Sequence, residues 1–75
     1  METREEMREK YNVLNNARAN HAMHNPGHLV HIGINFVECK TCQKHALCVF
    51  NSDDDEPRLL LTGAVVWRRI QAEEF

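Results

Sequence analysis

The chain of 75 residues is long enough for one domain, residues 1–75, and too short for two hydrophobic cores. A hydrophobic content of 43%, with one Trp, one Tyr and three Phe, favours a folded domain over a disordered chain. The formal charge of −2 excludes a general electrostatic attraction to nucleic acid or anionic membrane, and no apolar run reaches the roughly 18 residues that span a bilayer.

An amphipathic helix is predicted at the start of the chain, from Thr3 to about Asn25. Thr3 and Glu6 have the spacing of a capping box, in which each side chain accepts a hydrogen bond from a backbone N–H at the helix start. Residues three or four apart share a helical face, and one such set is Met7, Tyr11, Leu14, Ala17 or Arg18, and His21. Pro26 and Gly27 end the helix, because proline restricts the preceding residue and glycine permits a sharp turn.

Two strands joined by a short turn are predicted next. Residues 28–38 alternate in polarity and are rich in β-branched side chains, which favours a strand with one well-buried face. The apolar members of that face are Val30, Ile32, Ile34 and Phe36. His45 to Asn51 is the second candidate strand, so the Cys39–Cys42 segment is predicted to form the hairpin turn between the two.

The last third of the chain is harder to assign. Ser52–Pro57 is predicted to be a loop, because its acidic residues repel one another and proline cannot continue a central strand. Leu59–Leu61 favours a third strand, followed by a helix from about Ala64. The same region also fits one long strand over Arg58–Ile70, or a helix that begins at Pro57 and runs through Gly63. We favour strand then helix, which predicts an α+β fold with an N-terminal helix, a small antiparallel sheet of two or three strands and a C-terminal helix.

All three cysteines fall within one ten-residue stretch, from Cys39 to Cys48. Two thiols separated by two residues can point at one ion from a tight turn, which is the usual first half of a structural zinc site. His45 and Cys48 follow closely enough to supply the other ligands. We therefore predict a structural Zn²⁺ site formed by Cys39, Cys42, His45 and Cys48. Three cysteines cannot all pair with one another, so a reducing cytoplasm is the expected compartment.

That ligand set requires residues 43–48 to coil into a helical turn. If they are extended, Cys48 lies roughly 20 Å from Cys42 and cannot share its metal. A second arrangement replaces His45 or Cys48 by histidines from the end of the first helix and beyond, which are His21, His24, His28 and His31. It requires the strand over residues 28–38 to bend or to end early, because a straight strand would place Cys39 about 35 Å from His28. A third interpretation has free thiols, with Cys48 a small apolar core residue.

The Cys39–Cys48 pattern resembles a zinc knuckle in the broad sense, over ten residues. Its gaps before the histidine and the last cysteine are shorter than in retroviral knuckles, so no RNA-binding role is carried over. The predicted order α-β-β-β-α is similar to that of double-stranded RNA-binding domains, but the lysine-rich start of their last helix is absent.

Catalytic motifs are missing from the sequence. It has no Gly-rich phosphate loop, no HExxH and no GxSxG, and a domain of this size has little room for a water-excluding pocket. A redox role for Cys39 and Cys42 would require a larger βαβ framework. We predict a non-catalytic, zinc-stabilised protein-interaction module, such as an accessory or inhibitory protein of a phage or mobile element.

Two alternatives remain at this stage, a nucleic-acid-binding zinc module and a redox-active thiol protein. Nucleic-acid binding would use basic and stacking side chains, namely Lys40, Lys44, Arg68, Arg69 and either Trp67 or Phe50. Against it, the acidic run Asp53–Glu56 repels phosphate, and Trp67 also fits a core position. The same acidic run is an asset for binding a basic protein partner. No membrane partner is expected.

Overall fold

The computed structural model describes residues 3–50, 56–63 and 67–75. Its only long helix in these ranges is α1, Arg4–His24, and the predicted capping box at its start is confirmed. The Glu6 N–H donates to Thr3 Oγ1 at 3.1 Å, and the Glu6 side chain accepts from the Thr3 N–H. At the other end the Asn25 N–H donates to the His21 carbonyl at 2.9 Å. Gly27 then turns the chain with a φ of 90°, a conformation that glycine adopts without strain.

In the described residues, five antiparallel strands follow the helix and pair in chain order, so the sheet is a simple meander. The strands are β1 (Val30–Ile32), β2 (Phe36–Cys39), β3 (Lys44–Phe50), β4 (Pro57–Thr62) and β5 (Arg68–Ile70). A single 3₁₀ turn, Ala72–Glu74, completes the described chain. The predicted α+β class is therefore confirmed, with more strands than the two or three expected.

The first strand predicted from the sequence is split into β1 and β2 by a turn at Gly33. The Gly33 N–H donates to the Phe36 carbonyl at 2.8 Å, and Val30 then pairs with Cys39. A Cβ on Gly33 would overlap the Phe36 ring, so a side chain at this position requires the ring to move. The fold-back places His28 beside Cys39, which a straight strand would have prevented.

The C-terminal helix expected from about Ala64 is not found in the described residues. Arg68–Ile70 instead forms the edge strand β5, in which Ile70 pairs with Leu59 and is buried while Arg69 is exposed. Arg68 is exposed as well, and so short an apolar segment cannot distinguish a strand from a helix by sequence alone. Ala64–Val66 and the greater part of the acidic loop, residues 51–55, lie outside the described residues.

The core lies between α1 and one face of the sheet. Its buried apolar members are Leu14, Ala17, Val37, Cys39, Ala46, Cys48, Leu59, Ile70 and Phe75. The predicted helix face is confirmed at Leu14, Ala17 and His21. In its first half, however, Met7 and Tyr11 are about half exposed, and Lys10 is buried in their place. The Lys10 ammonium lies 5.7 Å from the centre of the Phe50 ring, so a cation–π contact accompanies its burial. The opposite face of the sheet carries no helix among the described elements.

Candidate metal centre

Four potential ligand side chains converge where the end of α1 meets the sheet. His21 lies in the last turn of α1, and His28 follows the Pro26–Gly27 turn. Cys39 is the last residue of β2, and Cys42 lies in the turn of residues 40–43 that leads to β3. One ligand atom from each of the four side chains lies within 4.8 Å of the other three. The group can therefore hold a metal ion.

Backbone contacts hold the two halves of this cluster in register. The Cys42 N–H donates to Cys39 Sγ at 3.3 Å, which fixes the second sulfur relative to the first. The Leu29 N–H donates to Thr41 Oγ1 at 3.0 Å, and the Lys40 N–H donates to the Leu29 carbonyl at 2.9 Å. These two bonds tie the chain just after His28 to the cysteine turn. The cysteine turn closes with Gln43 at a φ of 59°, an uncommon conformation for a residue with a Cβ.

The distances between the ligand atoms are short and similar. His28 Nδ1 lies 3.3 Å from His21 Nε2, 3.6 Å from Cys39 Sγ and 3.2 Å from Cys42 Sγ. The fourth close pair is Cys42 Sγ with His21 Nε2, at 3.5 Å. A ring nitrogen carries either one hydrogen or one lone pair, so His28 Nδ1 cannot form directed hydrogen bonds to all three neighbours. Convergence on a shared cation accounts for all three approaches at once.

The second ring nitrogen of His21 is engaged outside the cluster. Nδ1 lies 3.1 Å from the main-chain oxygen of Phe75. This main-chain oxygen only accepts, so the hydrogen of His21 resides on Nδ1 and the lone pair of Nε2 faces the cluster. This is the usual arrangement of a metal-bound histidine, which donates its outer N–H to a carbonyl or carboxylate.

The surroundings of Cys42 shift the pKa of its thiol. Desolvation and the neighbouring Cys39 raise the pKa of Cys42 above its ordinary value, and the Lys44 ammonium opposes part of that rise. Two thiolates this close repel each other unless a cation lies between them. Metal binding requires both thiolates, so the ion displaces their protons, and its positive charge offsets the repulsion between the two sulfurs.

The structure brings Cys39 and Cys42 together but leaves His45 and Cys48 out of the cluster. Because β3 is extended, both residues are carried away from the turn. His45 Nδ1 lies 2.9 Å from Thr62 Oγ1, and the His45 ring stacks on Phe36. Cys48 is buried in the core opposite Leu59, where it acts as a small apolar side chain.

The remaining pair of ligands comes from the histidine series that the sequence offered as an alternative. His21 and His28 join the cluster, whereas His24 is exposed at the end of α1 and His31 pairs with Glu38 across β1 and β2. Two sequence features mark the chosen pair. His28 directly follows the helix-ending Pro26–Gly27 turn, and His21 occupies the core-facing position of the last helical turn.

Comparisons with protein-family models, with curated proteins and with solved structures found no match to this chain. Within the ranges that the structure describes, no helix combines the length and the apolar content needed to cross a membrane.

Proposed function

We propose that this protein is a small non-catalytic interaction module whose fold is stabilised by one Zn²⁺ ion. The observation that carries the proposal is the group of His21, His28, Cys39 and Cys42. A regular tetrahedron with Zn–N bonds of about 2.0–2.1 Å and Zn–S bonds of about 2.3 Å has edges of about 3.3–3.8 Å. The four short ligand–ligand distances, from 3.2 to 3.6 Å, agree with that size.

The ligand set supports zinc and a structural role. Two thiolates and two imidazoles at tetrahedral corners are the donors that zinc prefers, whereas calcium and magnesium prefer oxygen. Four protein ligands leave no open position for water or substrate, which is what distinguishes a structural site from a catalytic one. The ion would join the end of α1 to the β1–β2 hairpin and to the cysteine turn.

A metal link can add stability that the small hydrophobic core of this domain does not supply. Within the described part of the chain, the core contains nine buried apolar residues, two of which are alanine and two cysteine. Small cores of this kind rarely supply more than about 3–5 kcal/mol, and a structural metal commonly makes up the difference. Metal-binding free energy becomes folding free energy when the unfolded chain lacks the site.

The helix-free face of the sheet is the proposed contact surface. Phe36, Leu47 and Leu60 lie side by side across β2, β3 and β4 on this face. Arg58 and Arg69 flank the row, opposite Val49 and Leu60 respectively. Apolar side chains next to arginine form the typical centre of a protein interface. Arg58 already pairs with Glu56 at 3.0 Å, whereas Arg69 is exposed beside Leu60. We therefore propose a partner segment in which apolar side chains lie next to a carboxylate.

Metal content tests the first half of the proposal. Protein purified without chelator is expected to hold about one equivalent of zinc by elemental analysis. Less than about half an equivalent, in protein that is nevertheless folded, would reject the zinc-stabilised module. Refolding in the presence of added zinc provides the control for metal lost during purification.

Peptide selection tests the second half. Random peptides displayed on phage are selected on the zinc-loaded protein, and the enriched sequences are expected to combine apolar residues with Asp or Glu. Their binding should be lost in Leu47→Asp and kept in Met23→Asp, which adds the same charge at a helix position that is 68% exposed. Equal binding to the two variants would show that the sheet face is not the contact surface.

A nucleic-acid-binding zinc module is the second candidate, supported by the exposed segment around Trp67. The Trp67 side chain is 64% exposed rather than buried in the core, and Arg68 and Arg69 beside it are exposed. An aromatic ring next to guanidinium groups can stack on a base and neutralise phosphate. Titration of a fluorescent single-stranded oligonucleotide at two salt concentrations distinguishes the candidates, because phosphate contacts require affinity to fall steeply with salt.

A further inference from the structure

The main-chain oxygen of Phe75 accepts two hydrogen bonds from residues at the candidate metal centre. His21 Nδ1 donates to it at 3.1 Å, and the Lys44 ammonium donates to it at 3.1 Å. The Phe75 ring is 4% exposed and lies 5.3 Å from the His21 ring, centre to centre. The segment after β5 is therefore packed directly on one of the four ligands.

We propose that Lys44 and Phe75 are positioning residues of the metal centre, and that Phe75 acts through its main-chain oxygen. Lys44 holds the oxygen in place, the oxygen holds the Nδ1 hydrogen of His21, and the Nε2 lone pair is thereby aimed at the ion. The same contacts couple metal binding to docking of residues 71–75 on the end of α1. This inference rests on the zinc site of the proposed function and adds to it the groups that set its affinity.

The chemical basis is the choice between the two neutral forms of histidine. A free imidazole places its hydrogen on either nitrogen and turns about its side-chain bonds, so only part of the population can offer Nε2 in the right direction. A carbonyl acceptor at Nδ1 selects one form and one orientation, and outer contacts of this type typically change metal affinity by about 10–100-fold. Among the described contacts, the Phe75 oxygen is the acceptor at this nitrogen.

The charge of Lys44 allows a test, because a positioning role and simple electrostatic repulsion predict opposite changes in zinc affinity. A lysine close to a bound dication repels it, so Coulomb's law alone predicts that removing this charge tightens metal binding. A positioning role predicts the opposite, because the Phe75 oxygen loses one of its two donors. Lys40 offers a matched control, since it lies in the cysteine turn that leads to Lys44, has an exposed side chain, and bonds to Leu29 through its backbone N–H.

Zinc affinity is measured by competition with a chromophoric chelator for wild type, Lys44→Met, Lys44→Arg and Lys40→Met. We expect Lys44→Met to bind zinc about 10-fold more weakly, Lys44→Arg to recover most of the loss, and Lys40→Met to bind as tightly as wild type or more tightly. Lys44→Met with unchanged or tighter binding would overturn the inference. Equal weakening in Lys44→Met and Lys40→Met would also overturn it.

Hydrogen exchange supplies a readout that does not depend on affinity. In the zinc-loaded wild type, the His21 Nδ1 hydrogen and the amides of residues 71–75 are expected to exchange slowly, and both should exchange faster in zinc-loaded Lys44→Met. Unchanged exchange in Lys44→Met would contradict the coupling. If the wild type itself binds no zinc, the proposed function fails; if it binds zinc and the Lys44 variants behave like Lys40→Met, the positioning role alone fails.

Discussion

His21 Nε2 lies 3.3 Å from His28 Nδ1, although His21 is in the last turn of α1 and His28 follows the Pro26–Gly27 turn after it. Two imidazole nitrogens approach this closely when one donates a hydrogen bond to the other or when both bind one cation. The two sulfurs that face the same nitrogens favour the cation. This pair is therefore the feature on which the choice of ligands depends.

Exchanging one histidine at a time distinguishes the observed cluster from the set predicted from the local cysteine stretch. His28→Gln is expected to lose stoichiometric zinc and to unfold at a markedly lower temperature, because three ligands bind the ion more weakly and its folding energy is lost. His45→Gln should keep one equivalent of zinc, since His45 contacts Thr62 instead. Zinc content and thermal unfolding measured side by side give the answer, and loss of zinc in His45→Gln but not in His28→Gln would contradict the assignment.

Gly33 is expected to tolerate no side chain while Phe36 covers it. Gly33→Ala places a Cβ where it overlaps the Phe36 ring, so we expect a loss of about 1–3 kcal/mol in the free energy of unfolding. In a Phe36→Ala background the same change should cost clearly less, since the obstructing ring is gone. Chemical denaturation of the four proteins in this cycle measures the coupling. A cost that does not depend on residue 36 would mean that the ring is not the obstacle.

Gln43 carries backbone strain that glycine would relieve. At a φ of 59° its Cβ crowds the backbone, at a cost of about 1–2 kcal/mol, whereas glycine adopts this conformation freely. We expect Gln43→Gly to stabilise the zinc-loaded protein by up to about 1 kcal/mol, because greater freedom of the unfolded chain offsets part of the gain. Gln43→Val should destabilise it. Denaturation midpoints at saturating zinc decide, and a destabilised glycine variant would show that the side chain contributes more than the strain costs.

The chelated protein is expected to lose local order around the cluster before the rest of the sheet. Removal of zinc leaves two thiols and two imidazoles without a shared partner. Few hydrogen bonds then join the segment around Leu29 to the cysteine turn, among them Leu29 N–H to Thr41 Oγ1 and Lys40 N–H to the Leu29 main-chain oxygen. Amide exchange should therefore rise most in the last turn of α1 and in residues 28–29 and 40–43. Exchange that rises uniformly over the described chain, or not at all, would argue against a site that joins these segments.

The sequence predicted the features that depend on local chemistry. The capping box of Thr3 and Glu6, the stop at Pro26–Gly27 and the proximity of Cys39 to Cys42 each follow from a few neighbouring residues. The identity of the other two ligands does not follow from neighbouring residues, because it depends on the chain reversal at Gly33. In an alternating stretch, Gly33 looks like one more small residue of a strand.

The same limit explains the C-terminal segment and the helix face. Ile70 is buried because β5 pairs with β4, and Phe75 is buried because it packs on His21, 54 residues away in the sequence. Lys10 occupies a buried position that its residue type disfavours, compensated by the Phe50 ring. In each case tertiary packing overrode a correctly observed periodicity.

X-ray absorption at the zinc edge of the loaded protein tests the central claim most directly, because it counts the sulfur and nitrogen neighbours of the ion. Ligation by His21, His28, Cys39 and Cys42 predicts two nitrogens at about 2.0–2.1 Å and two sulfurs at about 2.3 Å. Three sulfurs and one nitrogen would instead indicate the local set of Cys39, Cys42, His45 and Cys48, and a shell of oxygens would indicate that the ion does not occupy this cluster.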